Sequence, residues 1–399
     1  MPAFTENLHQ RLARLREQNL FRELRRVDSA QGPRIEISGK TCLNFSSNDY
    51  LGLANHPVLK EAALRAVKQF GAGTGASRLV CGSLAPFHEL EEALAAFKKT
   101  EAALTFSTGY AAAVGTITAL AGKGDILILD KLVHACIVDA ARLSGAKLRI
   151  FSHNDLNDLE DKLRWANESK SAIGHRPSAI LIVTESIFSM DGDAAPLREI
   201  AALKEKYGAW LMVDEAHATG IIGQNGRGLT DQLGVSAQVE IQMGTLGKAL
   251  GASGGYICGS RLLVDHLVNS ARSFIFSTAP VPAAAAAATA GIQLAQSAAG
   301  NGLRKKLFQH IATFQSAISN RRPTISAAIL PLILGDESLA LDTAAKLREQ
   351  HIFVPAIRFP TVARGAARLR ITFSAAHSAE DVGALTRALA QLPIANRQS

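Results

Sequence analysis

Short apolar runs at 125–130, 148–151, 179–183 and 210–213 alternate in this chain with longer stretches whose apolar residues recur at helical spacing. A run that is apolar at consecutive positions has no solvent face, so these segments read as strands buried on both sides, as parallel sheets require. The alternation extends from roughly 57 to 290 and predicts an open, mostly parallel sheet with helices on both faces. Ligands in such sheets sit at the carboxyl ends of the strands, so the loops that follow each run are where chemistry is expected.

The flanks read differently. Residues 7–26 place Leu8, Leu12 and Leu15 at helical spacing, and RIEI at 34–37 alternates like a strand, predicting a small N-terminal arm over 1–56. An α/β domain is expected over 57–292. Beyond it the pattern changes to helices near 302–319 and 337–350, with β-rich stretches at 327–334, 352–358 and 368–373, so 293–399 is expected to form an α+β C-terminal domain.

Composition narrows the partners. The net charge of +8 comes from scattered basic residues, with tight clusters only at Arg22, Arg25 and Arg26, at Arg304, Lys305 and Lys306, and at Arg321 and Arg322. None is interleaved with aromatics, so no nucleic acid is expected. The cysteines at 42, 81, 136 and 258 lie far apart without metal-ligand spacing, which fits reduced thiols in a cytoplasmic protein and no metal. The charged N-terminus lacks the pattern of a secretion signal, and the alanine-rich run 281–292 is too short to span a bilayer, so no membrane is expected either.

The strand at 210–213 runs into DEAH, which places Asp214 and His217 together at the sheet edge. An aspartate there ordinarily caps the next turn. Lys248 changes that reading, because it lies in GTLGKALGASGG among small and apolar neighbours that desolvate an ammonium and suit a lysine to Schiff-base chemistry. Asp214 and Lys248 together predict a pyridoxal-phosphate (PLP) site. STGY at 107–110 opens a helical stretch, so the start of that helix, with Ser107, Gly109 and Tyr110, is a candidate phosphate cradle. His134, just past the run 125–130, could stack on a bound ring, and Ser189 and Asp191 lie in a further loop converging on the same edge. GAGTGASR at 71–78 follows a helical pattern and not a strand, so it reads as a mobile loop near substrate and not as a dinucleotide fingerprint.

SSNDYLGL (46–53), FSMDGD (188–193), DEAH (214–217) and TLGK (245–248), in this order along 7–390, resemble the α-oxoamine synthase family. The resemblance implies the type I fold of PLP-dependent transferases, with a seven-stranded-type central sheet, and a homodimer with shared active sites. It implies Lys248 as the Schiff-base lysine, Asp214 against the ring nitrogen, His217 and Ser189 on the phenolic-oxygen side, and His134 on the ring face. Thr245 would bind phosphate beside Gly109 and Tyr110, and Thr278, in FSTAP, would reach the phosphate of the partner's site. Arg370 matches the arginine that holds the amino-acid carboxylate, ahead of Arg368, and a planar guanidinium suits that task. Asn48 and Thr361 would line the substrate site, and Arg22, ahead of Arg25, would face the acyl substrate. The reaction implied is decarboxylative condensation of an amino acid with an acyl thioester. The stretch FPTVARGAARLR at 359–370 favours the branch that joins L-alanine to pimeloyl-CoA or pimeloyl-acyl carrier protein. The alternative is a branch acting on glycine or serine, such as 2-amino-3-ketobutyrate CoA ligase.

Overall fold

A seven-stranded sheet organises the larger of two compact units, Asp49–Lys305, in the computed structural model, which describes residues 2–169, 172–173, 176–318 and 327–392. The basic pair Arg321 and Arg322 lies outside the described residues. The strands stand in the order Ala102–Phe106, Gly255–Gly259, Ile241–Thr245, Trp210–Asp214, Ile180–Glu185, Ile126–Asp130 and Lys147–Phe151. All neighbouring pairs are parallel except those made by Gly255–Gly259, which runs antiparallel to both of its neighbours. The predicted mostly parallel sheet is therefore present.

Burial follows position in the sheet. Ile126–Asp130 and Ile180–Glu185 are buried at every residue, as their unbroken apolar runs require. Lys147–Phe151 is an edge strand and leaves Ile150 49% exposed, so its apolar run does not mark burial on both faces. The core beneath the sheet joins Leu127, Leu129, Leu181, Val183, Met212 and Met243 to the helices Gly109–Leu120 and Ala135–Ser144.

The smaller unit combines Met1–Asn48 with Lys306–Ser399. Arg34–Ile37 pairs antiparallel with Lys40–Asn44, and Ile352–Phe353 adds to it in parallel. A second sheet sets Ala367–Thr372 between Ile329–Gly335 and Ala356–Ile357, all antiparallel. Glu337–Glu349 and Ala379–Ala390 are among its helices, the latter started by a capping box between Ser378 and Asp381.

The loop at 71–77 is tied down. Thr74 Oγ1 donates to the Ala279 carbonyl at 2.8 Å, Ala279 N donates to the Ala76 carbonyl at 3.0 Å, and Ser77 bridges to Thr278. Arg78 is then clamped by Glu91 at 2.9 Å with both side chains largely buried. The expectation of a loose segment gives way to a loop fastened to the chain that carries Thr278.

Candidate active site

In the larger unit, the carboxyl ends of the sheet bring together the residues that stand far apart in sequence. Strand 210–214 delivers Asp214, whose Oδ1 accepts the Ala216 amide at 2.9 Å, and the turn that follows presents His217. His217 Nε2 lies 2.7 Å from Lys248 Nζ. Its Nδ1 lies 2.7 Å from the hydroxyl of Tyr50, a side chain with no solvent exposure. Burial raises the Asp214 pKa, while Lys248 and the Ala216 amide pull it back towards the ionised form. A cationic group brought beside Asp214 would act in the same direction as Lys248.

Glu185 is a site residue that the sequence reading passed over. It is the Cα partner of Asp214 in the parallel register of adjacent strands, so the two carboxyls share one face of the sheet. One oxygen accepts the Ser189 amide at 3.1 Å, and Oε1 is buried without a hydrogen-bond partner. Burial, reinforced by the charge of Asp214, lifts its pKa well above the ordinary carboxylate value, which favours the neutral acid. An acidic residue ending an otherwise apolar, fully buried strand was the available signal.

The phosphate cradle can be tested against the backbone. Thr108 caps the helix Gly109–Leu120 by accepting the Ala111 amide, and the amides of Gly109 and Tyr110 lie in the first turn, where no helical carbonyl reaches them. A Cβ at Gly109 would come within 2.6 Å of Thr245 Cγ2, and one at Gly255 within 2.6 Å of Gly109 itself. Thr245 Oγ1 is buried and lacks a partner. Helix-start amides without helical partners beside a buried, unpartnered hydroxyl suit an anion. Ser107 and Tyr110 are exposed beside them, and the Tyr110 hydroxyl donates to Asp139 at 2.8 Å.

His134 caps the helix Ala135–Ser144, its Nδ1 accepting the Cys136 amide at 3.2 Å, and its ring is exposed at the same sheet edge. Ser189 is buried in the loop after strand 180–185. Thr278 is exposed. In the smaller unit, Arg370 is 7% exposed and donates through Nη1 to Asn48 Oδ1 at 3.1 Å, which joins two of the predicted substrate residues. Arg368 donates instead to the Ala366 carbonyl at 3.1 Å. Arg22 reaches the Phe359 carbonyl at 3.1 Å, two residues before the exposed Thr361.

An ionisable lysine, a buried aspartate and an anion recess at the carboxyl edge of this sheet define a PLP-dependent enzyme of the type I fold. The model of the family described as aminotransferase class I and II matches residues 40–389. An 8-amino-7-oxononanoate synthase of Geotalea daltonii is 48% identical over 395 residues, covering 98% of each chain. One of Geobacter sulfurreducens is 46% identical over 391 residues, 97% of this chain and 98% of its own. Among solved structures, serine palmitoyltransferase of S. paucimobilis with bound PLP and myriocin superposes with a TM-score of 0.87 at 29% identity, covering 97% of this chain and 96% of that one. An 8-amino-7-oxononanoate synthase of Francisella tularensis gives 0.73 at 27% identity, with 90% and 97% covered. The chain belongs to the aminotransferase class I and II family, within its α-oxoamine synthase branch.

Proposed function

We propose that this chain condenses L-alanine with a pimeloyl thioester, carried on coenzyme A or acyl carrier protein, to give 8-amino-7-oxononanoate, carbon dioxide and the free thiol carrier, a step of biotin biosynthesis. The observation that carries the reading is the cluster of Lys248, His217 and Asp214 at the sheet edge, in a chain whose 46–48% identical relatives bear that enzyme's name. Bound PLP supplies the electron sink for the negative charge that develops at the substrate Cα.

The residues divide the remaining work. Lys248 Nζ is the group that removes and returns the Cα proton. Asp214 holds the ring nitrogen in its protonated form, and His217 and Ser189 face the phenolic oxygen. Thr245, Ser107 and the amides of Gly109 and Tyr110 hold the phosphate, joined by Thr278 from a second copy of the chain in a homodimer. Arg370, its guanidinium oriented by Asn48, takes the amino-acid carboxylate, and Arg22 and Thr361 face the acyl substrate. His134 covers the ring face and donates to the carboxyl group that is lost. Among the described residues no helix is long and apolar enough to cross a membrane. We place the enzyme in the cytoplasm.

The serine palmitoyltransferase superposition keeps a serine- or glycine-using enzyme in view, yet its 29% identity falls well below the 48% of the 8-amino-7-oxononanoate synthase relative. Following thiol release from pimeloyl-CoA with a panel of amino acids decides the matter. Alanine should support turnover, with glycine and serine far behind; turnover with glycine or serine and not alanine would overturn the assignment.

A further inference from the structure

Glu185 closes the strand Ile180–Glu185, and its side chain turns back onto the loop that the strand feeds. That loop is held largely by its own backbone: Ile187 bridges to Ala194, Phe188 N donates to the Asp193 carbonyl at 3.0 Å, and Gly192 N donates to the Phe188 carbonyl at 2.8 Å. Its root is fixed to the neighbouring strand, where Ser186 N donates to the Asp214 carbonyl at 2.9 Å. The Ser189 amide is the exception. It leaves this pattern and goes to the Glu185 carboxyl at 3.1 Å. The strand of Glu185 lies between Trp210–Asp214 and Ile126–Asp130, so the backbone of His134, in the loop after Ile126–Asp130, faces the same carboxyl.

We infer that Glu185 is a positioning residue that acts through Ser189: its carboxyl fastens the Ser189 amide and so aims the Ser189 hydroxyl at the phenolic oxygen of the cofactor. The inference rests on the place that the proposed function gives Ser189. An amide nitrogen and a Cβ hang on the same Cα, so fixing the amide fixes the Cα–Cβ direction and leaves a serine only its χ1 to set. Ser189 is buried, and without the carboxyl its amide would have to turn towards another acceptor, carrying the hydroxyl with it. His153 keeps this effect local. It holds Asp193 at 2.8 Å and packs edge-on against Phe188 with centroids 4.3 Å apart, so the loop stays in place while the orientation of Ser189 is lost.

The clamp does not need a charge. Burial and Asp214 favour the neutral acid, while Lys248 and the backbone of His134 and Ser189 draw Glu185 towards the ionised form, yet a carboxyl accepts through its carbonyl oxygen in either state. Oε1 has no hydrogen-bond partner, so an amide nitrogen in its place displaces no donor. Glu185→Gln therefore keeps the acceptor, and Glu185→Leu removes it at similar bulk.

Hydrogen exchange at the Ser189 amide tests this in protein freed of cofactor, with the Ala195 amide of the same loop, bonded to the Ser186 carbonyl at 3.1 Å, as the reference. In wild type and Glu185→Gln the Ser189 amide should exchange slowly, and in Glu185→Leu at least about tenfold faster relative to Ala195, the mark of one lost buried hydrogen bond. In the loaded enzyme Glu185→Gln should keep kcat within about threefold of wild type and Glu185→Leu should lose at least about tenfold, with KM for the acyl thioester unchanged in both. A wild-type Ser189 amide that exchanges as fast as an unbonded one overturns the inference without any variant having to fold. A Glu185→Gln enzyme as slow as Glu185→Leu overturns it too, as does a Glu185→Leu protein whose Ser189 amide exchanges at the wild-type rate. If wild-type protein fails to turn over pimeloyl-CoA with alanine, the functional reading falls, and the exchange rates still judge the clamp.

Discussion

Lys98 and Glu215 form an ion pair closed to solvent on both sides, with side chains 1% and 0% exposed. Glu215 also accepts the Thr230 amide at 2.9 Å and its hydroxyl at 3.0 Å, while Lys98 donates to the Arg227 carbonyl. Gly228 leaves the room this requires, since a Cβ there would come 2.3 Å from Glu215 Oε2. Because Glu215 adjoins Asp214, the pair braces the strand end that carries Asp214. Lys98→Met removes one partner and leaves a buried charge, which costs about 3–5 kcal/mol. Removing the Arg164 side of the Arg164–Asp161 pair, where both side chains are more than half exposed, costs about 0–1 kcal/mol. Denaturant midpoints of Lys98→Met and Arg164→Gln should separate accordingly, and equal midpoints would show that Glu215 finds other support.

The recess at Gly109 predicts a cofactor-affinity effect. Gly109→Ala would drive a methyl to 2.6 Å from Thr245 Cγ2, displacing the threonine whose buried hydroxyl awaits a partner. PLP affinity, measured by fluorescence titration, should weaken by on the order of tenfold or more, the loss of one good hydrogen bond to an anion. Gly122→Ala serves as a control, because a Cβ there meets nothing within 4 Å. Equal affinities in the two variants would remove Gly109 and Thr245 from the phosphate site.

Legibility in the sequence followed burial chemistry. Strands 126–130 and 180–185 are apolar at nearly every position and could be read directly. Ile241–Thr245 and Gly255–Gly259 could not, because Gln242, Gly244, Gly255 and Gly259 break the apolar run. Gly244 is there for space: a Cβ would strike the buried Tyr256 hydroxyl at 2.3 Å. Asp214, His217 and Lys248 were legible as a group because their loops share the carboxyl edge. Glu185 was hidden because it ends a strand whose apolar run stops at 183, and the His217 contact of Tyr50 depends on a turn whose packing against Gly251 leaves no periodic trace.

His153 carries a pH dependence of its own. Its Nδ1 lies 2.9 Å from Asp130 and its Nε2 2.8 Å from Asp193, so it ties the end of strand 126–130, near His134, to the loop that carries Ser189. Burial opposes its charge, but the two carboxylates outweigh burial and raise the pKa to about 10. A folded pKa above the unfolded one gives stability that is complete below about 6.5 and is lost as pH rises towards 10. The stability difference between wild type and His153→Gln should therefore be largest near pH 6 and shrink between pH 7 and 10. A difference that stays constant over that range would mean that His153 acts as a neutral ring.

His377 in the smaller unit has the opposite sign. It stacks on Phe45 with ring centroids 4.2 Å apart, its Nε2 lies 3.0 Å from the Asn44 carbonyl, and its Nδ1 accepts the Ser374 amide at 3.0 Å. Accepting at Nδ1 requires the neutral ring with its proton on Nε2, and burial lowers the pKa to about 4. The unfolded chain then binds a proton at higher pH than the folded one, so the stability from the neutral ring is complete above about 6.5 and drains away as pH falls towards 4. Protonation would put a second donor against the Ser374 amide, so acid should loosen the packing of Phe45 as it charges the ring. Thermal unfolding of wild type should lose stability through this window, and His377→Gln, with no proton to gain, should start less stable at pH 7 and show a flatter acid limb. An acid limb of the same slope in both proteins would assign the loss to the carboxylates instead.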